Sequence, residues 1–291
     1  MRIEEALERF TTQLEADGRS IHTRRQYARH VRLLAAWARD VGGCGDEIER
    51  IGHEDVARFL AAPVATGRAG GGAKKATSAN CLRSSVRVFL GYCHRAGYIP
   101  MDPGRLIRRA RCLPPPPRAI NEEDQRRLLE ALEKAEGPEA KRDHAIFHLM
   151  MASRIRIGSA LALDIEDVFL DKSEFRLLAA KGNQPDVVYL GAAIREHLRW
   201  YLAGRTTGPL FTANGKRVSQ RHIQRRLGQW AKVAGITSKV SCHSLRHGFA
   251  ERIYAKSGDV LIVKEALRHR SITSTMVYAK VNETRLRQAL A

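Results

Sequence analysis

The chain has 291 residues, 44% of them hydrophobic, and a formal net charge of +19. Its length and composition allow one large domain or two ordinary ones with apolar cores, and the charge indicates a polyanionic partner, most commonly nucleic acid. Residues 1–118 hold 21 Lys and Arg against 12 Asp and Glu, and residues 119–291 hold 29 against 19. Because both parts are basic, we expect two phosphate-contacting surfaces rather than one basic tail.

The composition argues against several classes of protein. Five scattered cysteines without a Cys-x-x-Cys motif indicate reduced thiols, and neither a disulfide framework nor a zinc cluster. No apolar run approaches the ~18 residues that cross a membrane. The opening "MRIEEALERF" has the pattern of an amphipathic helix and not of a signal peptide. We therefore expect a soluble, cytoplasmic protein with no membrane partner.

The segment before residue 111 predicts a four-helix-type bundle. Apolar residues recur at helical spacing in "IEEALERFTTQL", "IHTRRQYARHVRLLAAWARDV" (with Thr23 as N-cap), "GHEDVARFLAAPV" and "TSANCLRSSVRVFLGYCHRAGYI". The outward faces are basic, at Arg24, Arg25, Arg29, Arg32, Lys74, Lys75, Arg83 and Arg87. Any one of these could be a merely solvated side chain, but together they indicate a DNA-facing surface. The predicted DNA contacts are Arg24, Arg25, Arg29, Lys74, Lys75, Arg83 and Arg87.

Four consecutive prolines in "RCLPPPPRAI" mark the predicted domain boundary, because they form a stiff extended spacer. We place a linker at residues 111–119, between domains at residues 1–110 and 120–291. In the second domain, Asn121 is the predicted N-cap of a first helix, and two helices meet near Ser153. "EFRLLAAKGNQPDVVYL" then predicts two strands that reverse at Gly182-Asn183, and further helices follow. The predicted fold class is mainly α, with one small antiparallel β-sheet in the second domain.

"SCHSLRHGFA", residues 241–250, concentrates side chains that could bind a metal or an anion. A metal is disfavoured, because the adjacent Cys242 and His243 rarely reach one ion together and no second ligand cluster follows. His243 and Arg246 are three residues apart, on one face in the predicted first turn of a helix, where backbone N–H groups also favour anions. A lone His-x-x-Arg could still be a capping accident, so the interpretation depends on residues elsewhere.

Four further residues complete a pattern. Arg156 lies in "SRIRIGSALALDIEDV", Lys181 at the tip of the predicted hairpin, and His269 and Tyr278 nine positions apart across a Ser/Thr-rich turn. With His243 and Arg246, these six residues resemble, in order and spacing, the tyrosine recombinase (phage integrase) family. "HTRRQYARHVRLLAAWARD" and "SSVRVFLGYCHRAGYIPMDP" are similar to the family's helical core-binding domain, so the resemblance covers nearly the whole chain.

The resemblance implies a site-specific DNA recombinase that cleaves and rejoins strands through a 3′-phosphotyrosine intermediate. In this interpretation Tyr278 is the nucleophile, Arg156 and Arg246 neutralise the phosphate, and His243 assists deprotonation. Lys181 protonates the leaving 5′-oxygen and His269 holds a phosphate oxygen. No cofactor and no metal are expected, because the covalent intermediate stores the bond energy. Tyr254, His247 and Cys242 are interpreted as structural or incidental.

The chain departs from the family pattern at three positions. The family usually has Gly-Leu-Arg-x-x-Glu around the first arginine, whereas this chain has Arg154 in place of the glycine and Ser159 in place of the acid. Arg154 is a rival for the role of Arg156, but counting back from Leu163 favours Arg156. Arg268 stands where a glycine usually precedes the second histidine. Two alternatives stay open: a type IB topoisomerase-like nicking and closing enzyme, and a catalytically idle DNA-binding protein on the same fold.

The predicted partner is double-stranded DNA that contains a specific recombination site. The resemblance implies a clamp of two domains, a homo- or hetero-tetramer on two DNA sites, and a monomer or weak dimer when free. The short spacing of Arg246 and His269, and the absence of a preceding arm-binding domain, look like the Xer-type architecture. The tail "AKVNETRLRQALA" predicts an amphipathic helix that docks on a neighbouring subunit or on its own chain. When bound to DNA the protein would be associated with the nucleoid.

Overall fold

A computed structural model of the chain describes residues 1–68, 70–112, 119–177, 186–268, 271–272 and 275–278. The chain divides into two compact units, Met1–Leu113 and Pro114–Ala291. The predicted hairpin tip with Lys181, the second histidine His269 and the tail after Tyr278 lie outside the described residues.

The first unit is helical. It contains α1 (Ile3–Ala16), α2 (Ile21–Trp37), α3 (His53–Ala61), the short α4 (Pro63–Thr66) and α5 (Ala76–Arg95), with a π-helical turn at Ala38–Gly42 and a 3₁₀ turn at Ile48–Arg50. The apolar face predicted for α1 is the buried one: Ile3, Ala6, Leu7, Phe10 and Leu14. The prediction of Thr23 as N-cap of α2 was wrong by three residues. Ser20 caps the helix, because its hydroxyl accepts a hydrogen bond from the Thr23 N–H.

The core of the first unit lies between α1, α2 and α5. Phe10 is in edge contact with Phe89 and Tyr27, with ring centroids 5.5 and 5.6 Å apart. A buried polar pair also joins α2 to α5, where His30 Nδ1 and the Ser85 hydroxyl lie 2.8 Å apart. Burial, followed by the charges of Arg29 and Lys74, lowers the pKa of His30 to about 4. His30 is therefore uncharged at neutral pH beneath a basic surface.

The second unit is also mainly helical, as predicted. Its helices are α6 (Glu122–Glu133), α7 (Pro138–Ala152), α8 (Ile157–Ala162), α9 (Ala192–Leu202), α10 (Gln220–Val233), α11 (Cys242–Ser257) and α12 (Val260–Leu267). Asn121 caps α6, its side chain accepting from the Asp124 N–H at 2.6 Å, as expected from the sequence. None of the described helices combines the length and the apolar character needed to cross a membrane.

The strands of the second unit form two small antiparallel sheets. β1 (Val168–Phe169), β2 (Glu174–Leu177) and β3 (Asp186–Tyr189) pair in that order, and Leu177 lies opposite Asp186 where β2 and β3 approach their reversal. The two predicted strands therefore pair as expected, and the predicted reversal at Gly182-Asn183 lies outside the described residues. β4 (Thr212–Ala213) and β5 (Lys216–Arg217) form a second sheet, which the sequence analysis did not foresee. Strands of two residues are too short to show an alternating pattern.

A buried network of hydrogen bonds and ion pairs links α7 to α10. Asp143 is fully buried and accepts hydrogen bonds from Arg142 on one oxygen, at 2.6 and 2.9 Å. Its other oxygen accepts from Arg226 Nε at 2.5 Å and from the Trp230 indole at 2.9 Å. Because both carboxylate oxygens have charged or polar donors, the buried charge is compensated and the relative position of the two helices is fixed.

Candidate active site

The helix α11 carries three of the side chains on which the site depends. Ser241 and Ser244 cap its start reciprocally: the Ser241 hydroxyl accepts from the Ser244 N–H at 3.1 Å, and the Ser244 hydroxyl accepts from the Ser241 N–H at 2.9 Å. Because the helix begins at Cys242, His243 lies in the first turn, as predicted, and Arg246 lies in the second. The two side chains remain three residues apart on one face.

Arg246 is a buried cation, with only 5% of the residue exposed. Its Nη2 donates to the backbone carbonyl of Leu267, at the end of α12, at 3.2 Å. Burial, followed by the positive charge of Arg156, lowers the pKa of Arg246 to about 10. The guanidinium remains charged at neutral pH, and the two arginines act on each other although 90 residues separate them in the sequence.

His243 lies in the same positive environment. Burial, then Arg246 and then Arg156, lowers the pKa of His243 below the ordinary value for histidine. A neutral imidazole at physiological pH can accept a proton, as a general base requires. Arg156 itself is exposed and immediately precedes α8, in extended backbone conformation. Its side chain is therefore open to a ligand from solvent.

Tyr278 is buried, and it ends a 3₁₀ turn at Met276–Tyr278 that packs on α11 and α12. Its hydroxyl forms a hydrogen bond with Nδ1 of His247, and the two ring centroids are 5.5 Å apart. Burial raises the pKa of Tyr278 to about 12, with the positive charge of Arg246 acting in the opposite direction and Glu251 adding to the rise. The phenol is therefore protonated in this conformation and is a weak nucleophile.

His247 is the residue that the sequence analysis undervalued. It was interpreted as structural or incidental, yet it contacts the predicted nucleophile directly, and its ring centroid lies 4.8 Å from that of His243. The available signal was its position one residue after Arg246 and four after His243, on the helix that was already predicted to carry the chemistry. The partner, however, is 31 residues away and could not be inferred from spacing alone.

Two of the departures from the family pattern line one cavity next to the site. Arg154 and Arg268 both border a cavity of about 370 Å³, together with residues of α7, β3, α11 and α12. Arg154 Nη2 donates to the backbone carbonyl of Val187 in β3 at 3.0 Å. Arg268 has a left-handed backbone, with φ of 46°, at the position that the resemblance assigns to glycine. Arg154 thus supports the edge of the sheet while Arg156 remains exposed.

Of the six predicted catalytic residues, His243 and Arg246 lie on α11, and Tyr278 contacts that helix through His247. Burial lowers the pKa of His243, and the positive charges of Arg246 and Arg156 both lower it further. Lys181 and His269 fall outside the described residues. Tyr254 packs beside Tyr278 at the edge of its small apolar cluster, as a structural residue would.

The predicted DNA-contacting residues of the first unit fall into two groups. Arg24 pairs with Glu15 at 2.6 Å, and Lys74 donates to the backbone carbonyls of Val64 and Ala65 at 3.0 and 2.9 Å. These two cations therefore have structural partners. The exposed members of the predicted set are Arg25, Arg29, Lys75 and Arg87, and Arg83 is half-buried.

Comparison with known protein families shows to which family the chain belongs. Residues 118–285 match the model of the phage integrase family, and residues 7–97 match the N-terminal SAM-like domain of phage integrases. The chain belongs to the phage integrase family. The two matches together cover most of both units of this family member. The family resemblance that was drawn from six residues is therefore confirmed.

The sequence matches to individual relatives cover most of the length of this chain. The chain is 32% identical to the tyrosine recombinase XerC of Neisseria meningitidis serogroup C over 279 residues, which are 91% of this chain and 87% of the relative. It is 28% identical to XerC of Vibrio parahaemolyticus over 99% of this chain and 92% of the relative. The protein is accordingly a tyrosine recombinase, an enzyme that cleaves and rejoins DNA in site-specific recombination.

Solved structures agree on the fold. The XerH recombinase bound to its difH substrate in a pre-cleavage complex matches with a TM-score of 0.72 at 23% identity, over 96% of this chain and 83% of that one. A lambda integrase tetramer bound to a Holliday junction matches with a TM-score of 0.71 at 16% identity, over 97% and 81%. The mainly α fold with a small antiparallel sheet is thus that of these proteins.

Proposed function

We propose that this recombinase cleaves one DNA strand by attack of Tyr278 on a phosphodiester held between Arg156 and Arg246. The phenol oxygen forms a bond to phosphorus, the bond from phosphorus to the 5′-oxygen breaks, and a 3′-phosphotyrosine and a free 5′-hydroxyl result. Rejoining reverses these steps with a different 5′-hydroxyl. No energy source is needed, because the phosphotyrosine bond replaces the phosphodiester bond.

The two arginines act on the charge of the phosphate. A DNA phosphodiester is negative and gains further negative charge in the pentavalent transition state. Arg246 is buried and preorganised by its hydrogen bond to Leu267, so it loses little freedom when the phosphate arrives. Arg156 is exposed, so it can meet the phosphate from the solvent side. We assign this role to Arg156 and not to Arg154, since Arg154 donates to β3.

The proton of the phenol goes to an imidazole. We assign His243 as the base for the reacting tyrosine, because it shares a helix face with Arg246 and is held neutral by burial and by the two arginines. His247 is a positioning residue that holds the hydroxyl of Tyr278 in the unreacted enzyme. Lys181 is assigned as the acid for the leaving 5′-oxygen and His269 as a donor to a phosphate oxygen, as the family pattern implies.

The DNA is held by both domains, 1–110 and 120–291, joined by the linker at 111–119. The exposed basic residues of α2 and α5 provide phosphate contacts on the first domain. Recombination joins two DNA sites, so we propose a tetramer of this chain, alone or with a second recombinase, as in the lambda integrase tetramer on a Holliday junction. In the cell the DNA-bound protein would be found with the nucleoid.

The observation that carries this proposal is the proximity of one buried guanidinium to one buried phenol. Arg246 acts on the pKa of Tyr278, and Tyr278 acts on the pKa of Arg246, although both side chains lie inside the domain. Burying a cation beside a hydroxyl group lowers the stability of the fold unless a bound ligand compensates the charge. A phosphodiester is such a ligand, because it binds the cation and receives the oxygen.

The test is the covalent intermediate. Genomic fragments that the protein binds are converted to suicide substrates, with a nick near the cleavage point, and incubated in EDTA with the native enzyme, Tyr278→Phe and the matched control Tyr254→Phe. A protein–DNA band on a denaturing gel is expected for the native enzyme and the control and not for Tyr278→Phe. The absence of a band on DNA that the protein binds, or its persistence in Tyr278→Phe, would overturn the assignment.

A second measurement separates recombination from simple relaxation. A plasmid with two copies of the bound site is expected to give recombinant products in a reaction that needs both copies. Relaxation of a supercoiled plasmid without such a site, and without recombinants, would instead indicate a nicking and closing enzyme.

A further inference from the structure

Three histidines of the second unit form a cluster that contains none of the predicted catalytic residues. His144 and His148 are four residues apart on α7, and His197 lies on the neighbouring helix α9. The ring centroid of His197 is 3.9 Å from that of His144 and 5.7 Å from that of His148. One ring nitrogen from each of the three lies within 4.8 Å of the others. Nothing in the recombination chemistry uses this cluster.

Ordinary protein hydrogen bonds do not account for these imidazoles. The Nδ1 of His148 and the Nε2 of His197 are buried and form no hydrogen bond with any protein atom in the described parts of the chain. A buried polar atom without a partner costs about 1–3 kcal/mol. Two such atoms on neighbouring rings therefore indicate that something else satisfies them.

The side chains are of the type that transition metals prefer. Imidazole is the commonest metal ligand in proteins, and each of the three rings offers one ring nitrogen to the cluster.

We propose that His144, His148 and His197 bind one divalent transition-metal ion, with Zn²⁺ the best fit, and that the ion links α7 to α9. Three imidazoles are an accepted zinc ligand set, and a tetrahedral ion takes a fourth ligand. Solvent would take the fourth position, because no described carboxylate joins the group of the three ring nitrogens.

The geometry requires only a small adjustment. Zinc–nitrogen bonds of about 2.0–2.1 Å place the ligand nitrogens of a tetrahedral site roughly 3.3 Å apart. Because the nitrogens lie within 4.8 Å of one another, they need to approach by at most roughly 1.5 Å. The α7 side is already fixed, because Asp143, next to His144 in the chain, is bound to Arg226 and Trp230 of α10.

The role of the ion is structural and not chemical. The helix α7 ends at Ala152, and the chain then runs directly to Arg154 and Arg156. The helix α7 also packs on α11, and Arg252 of α11 donates a hydrogen bond to the Met151 carbonyl near the end of α7. An ion that joins α7 to α9 would stabilise the support of the arginine pair without touching DNA.

The test uses tag-free, chelator-treated protein titrated with Zn²⁺, and with Co²⁺ as a spectroscopic substitute. We expect one equivalent of bound metal and a visible Co²⁺ spectrum of a nitrogen-rich tetrahedral site. We also expect Cu²⁺ to quench the fluorescence of Trp200, because the ring centroid of Trp200 lies 5.1 Å from that of His197. His148→Gln and His197→Gln each should weaken binding by more than about a hundredfold, since losing a ligand costs more than losing an outer-shell partner.

The matched control is His22→Gln, which removes an exposed histidine in the other unit and should leave metal binding unchanged. Circular dichroism without metal shows whether each variant is folded. Stoichiometric binding that survives in folded His148→Gln and His197→Gln, or no binding above that of a folded double variant, would refute the site.

Discussion

The hydroxyl of Tyr278 is hydrogen-bonded to Nδ1 of His247, and not to His243, in the DNA-free enzyme. The unreacted nucleophile is thus kept protonated, buried and fixed by a histidine one residue away from the buried arginine. For catalysis the phenol has to exchange this partner for the phosphate. In the proposed mechanism His247 holds the nucleophile and His243 accepts its proton.

Replacing His247 should slow cleavage without changing its pH dependence. His247→Ala removes one hydrogen bond that orients the phenol, and about a tenfold lower single-turnover rate is expected from the value of such a bond. His243→Ala should instead remove the rise of the rate with pH that reports the base. The measurement is covalent-complex formation on a suicide substrate from pH 5.5 to 9. If His247→Ala abolishes the pH-dependent rise and His243→Ala does not, the two roles have to be exchanged.

Arg246 should contribute to catalysis at the expense of stability. It is a buried cation whose described hydrogen bond is to a neutral carbonyl, and burial of an uncompensated charge is unfavourable. Arg246→Met should abolish covalent-complex formation and raise the free energy of unfolding by about 1 kcal/mol, as is common where function and stability conflict. Urea denaturation and the cleavage assay measure the two effects. Arg226→Met is the contrasting variant: it removes a donor from buried Asp143 and should destabilise the fold.

Acid should destabilise the metal-free protein through its buried histidines. The pKa values of His30, His144 and His148 are lowered to about 4 in the folded state, while the unfolded value is near 6.5. The unfolded state therefore binds more protons between these values. The free energy of unfolding is therefore highest above pH 6.5, and it decreases as the pH falls from 6.5 towards 4. Urea midpoints at pH 8, 6, 5 and 4 should fall along this range, and His144→Phe should reduce the slope. A midpoint independent of pH would contradict the burial of neutral rings.

The left-handed backbone at Arg268 should be measurable as strain. A side chain at φ of 46° costs about 1 kcal/mol relative to glycine. Arg268→Ala keeps the backbone cost and removes the side chain, whereas Arg268→Gly removes both. The glycine variant should therefore be about 1 kcal/mol more stable than the alanine variant in urea denaturation. Equal stabilities would mean that the backbone relaxes at this position.

The exposed arginines of the first unit should set the salt dependence of DNA binding. Arg25 and Arg87 are exposed and form no ion pair within the described part of the chain, whereas Arg32 donates from Nε and Nη2 to one carboxylate oxygen of Glu4. Arg25→Gln and Arg87→Gln should each reduce the slope of log affinity against log salt by about 1, and Arg32→Gln should change it little. Fluorescence anisotropy between 50 and 300 mM salt gives the slopes. An equal effect of Arg32→Gln would place the DNA on a different face.

Much of the fold could be predicted because the buried apolar residues of a helix recur at a regular spacing in the sequence. The apolar face of α1 and the cap of α6 depend on neighbouring residues, and both were recovered from the sequence. The cap of α2 was misplaced because Ser20 and Thr23 are both capping residues within one turn. The catalytic positions were predicted from order and spacing, and they stay a prediction.

The rest depended on contacts between distant segments. The bond between His247 and Tyr278 joins residues 31 apart, and the histidine cluster requires that α7 and α9 pack side by side. The spacing of His144 and His148 was visible as a helical pair, but the third ring, His197, belongs to a helix about fifty residues later. No pattern along one segment contains such information.

The reciprocal bonds between Ser241 and Ser244 determine where α11 begins, and they hold the first turn, which carries His243. Without these bonds the first turn would fray, and His243 would lose its fixed position beside Arg246. Genetic selection for loss of recombination should therefore recover substitutions at these two serines alongside those of the reacting groups. Such variants would look like catalytic mutants although neither hydroxyl takes part in the reaction.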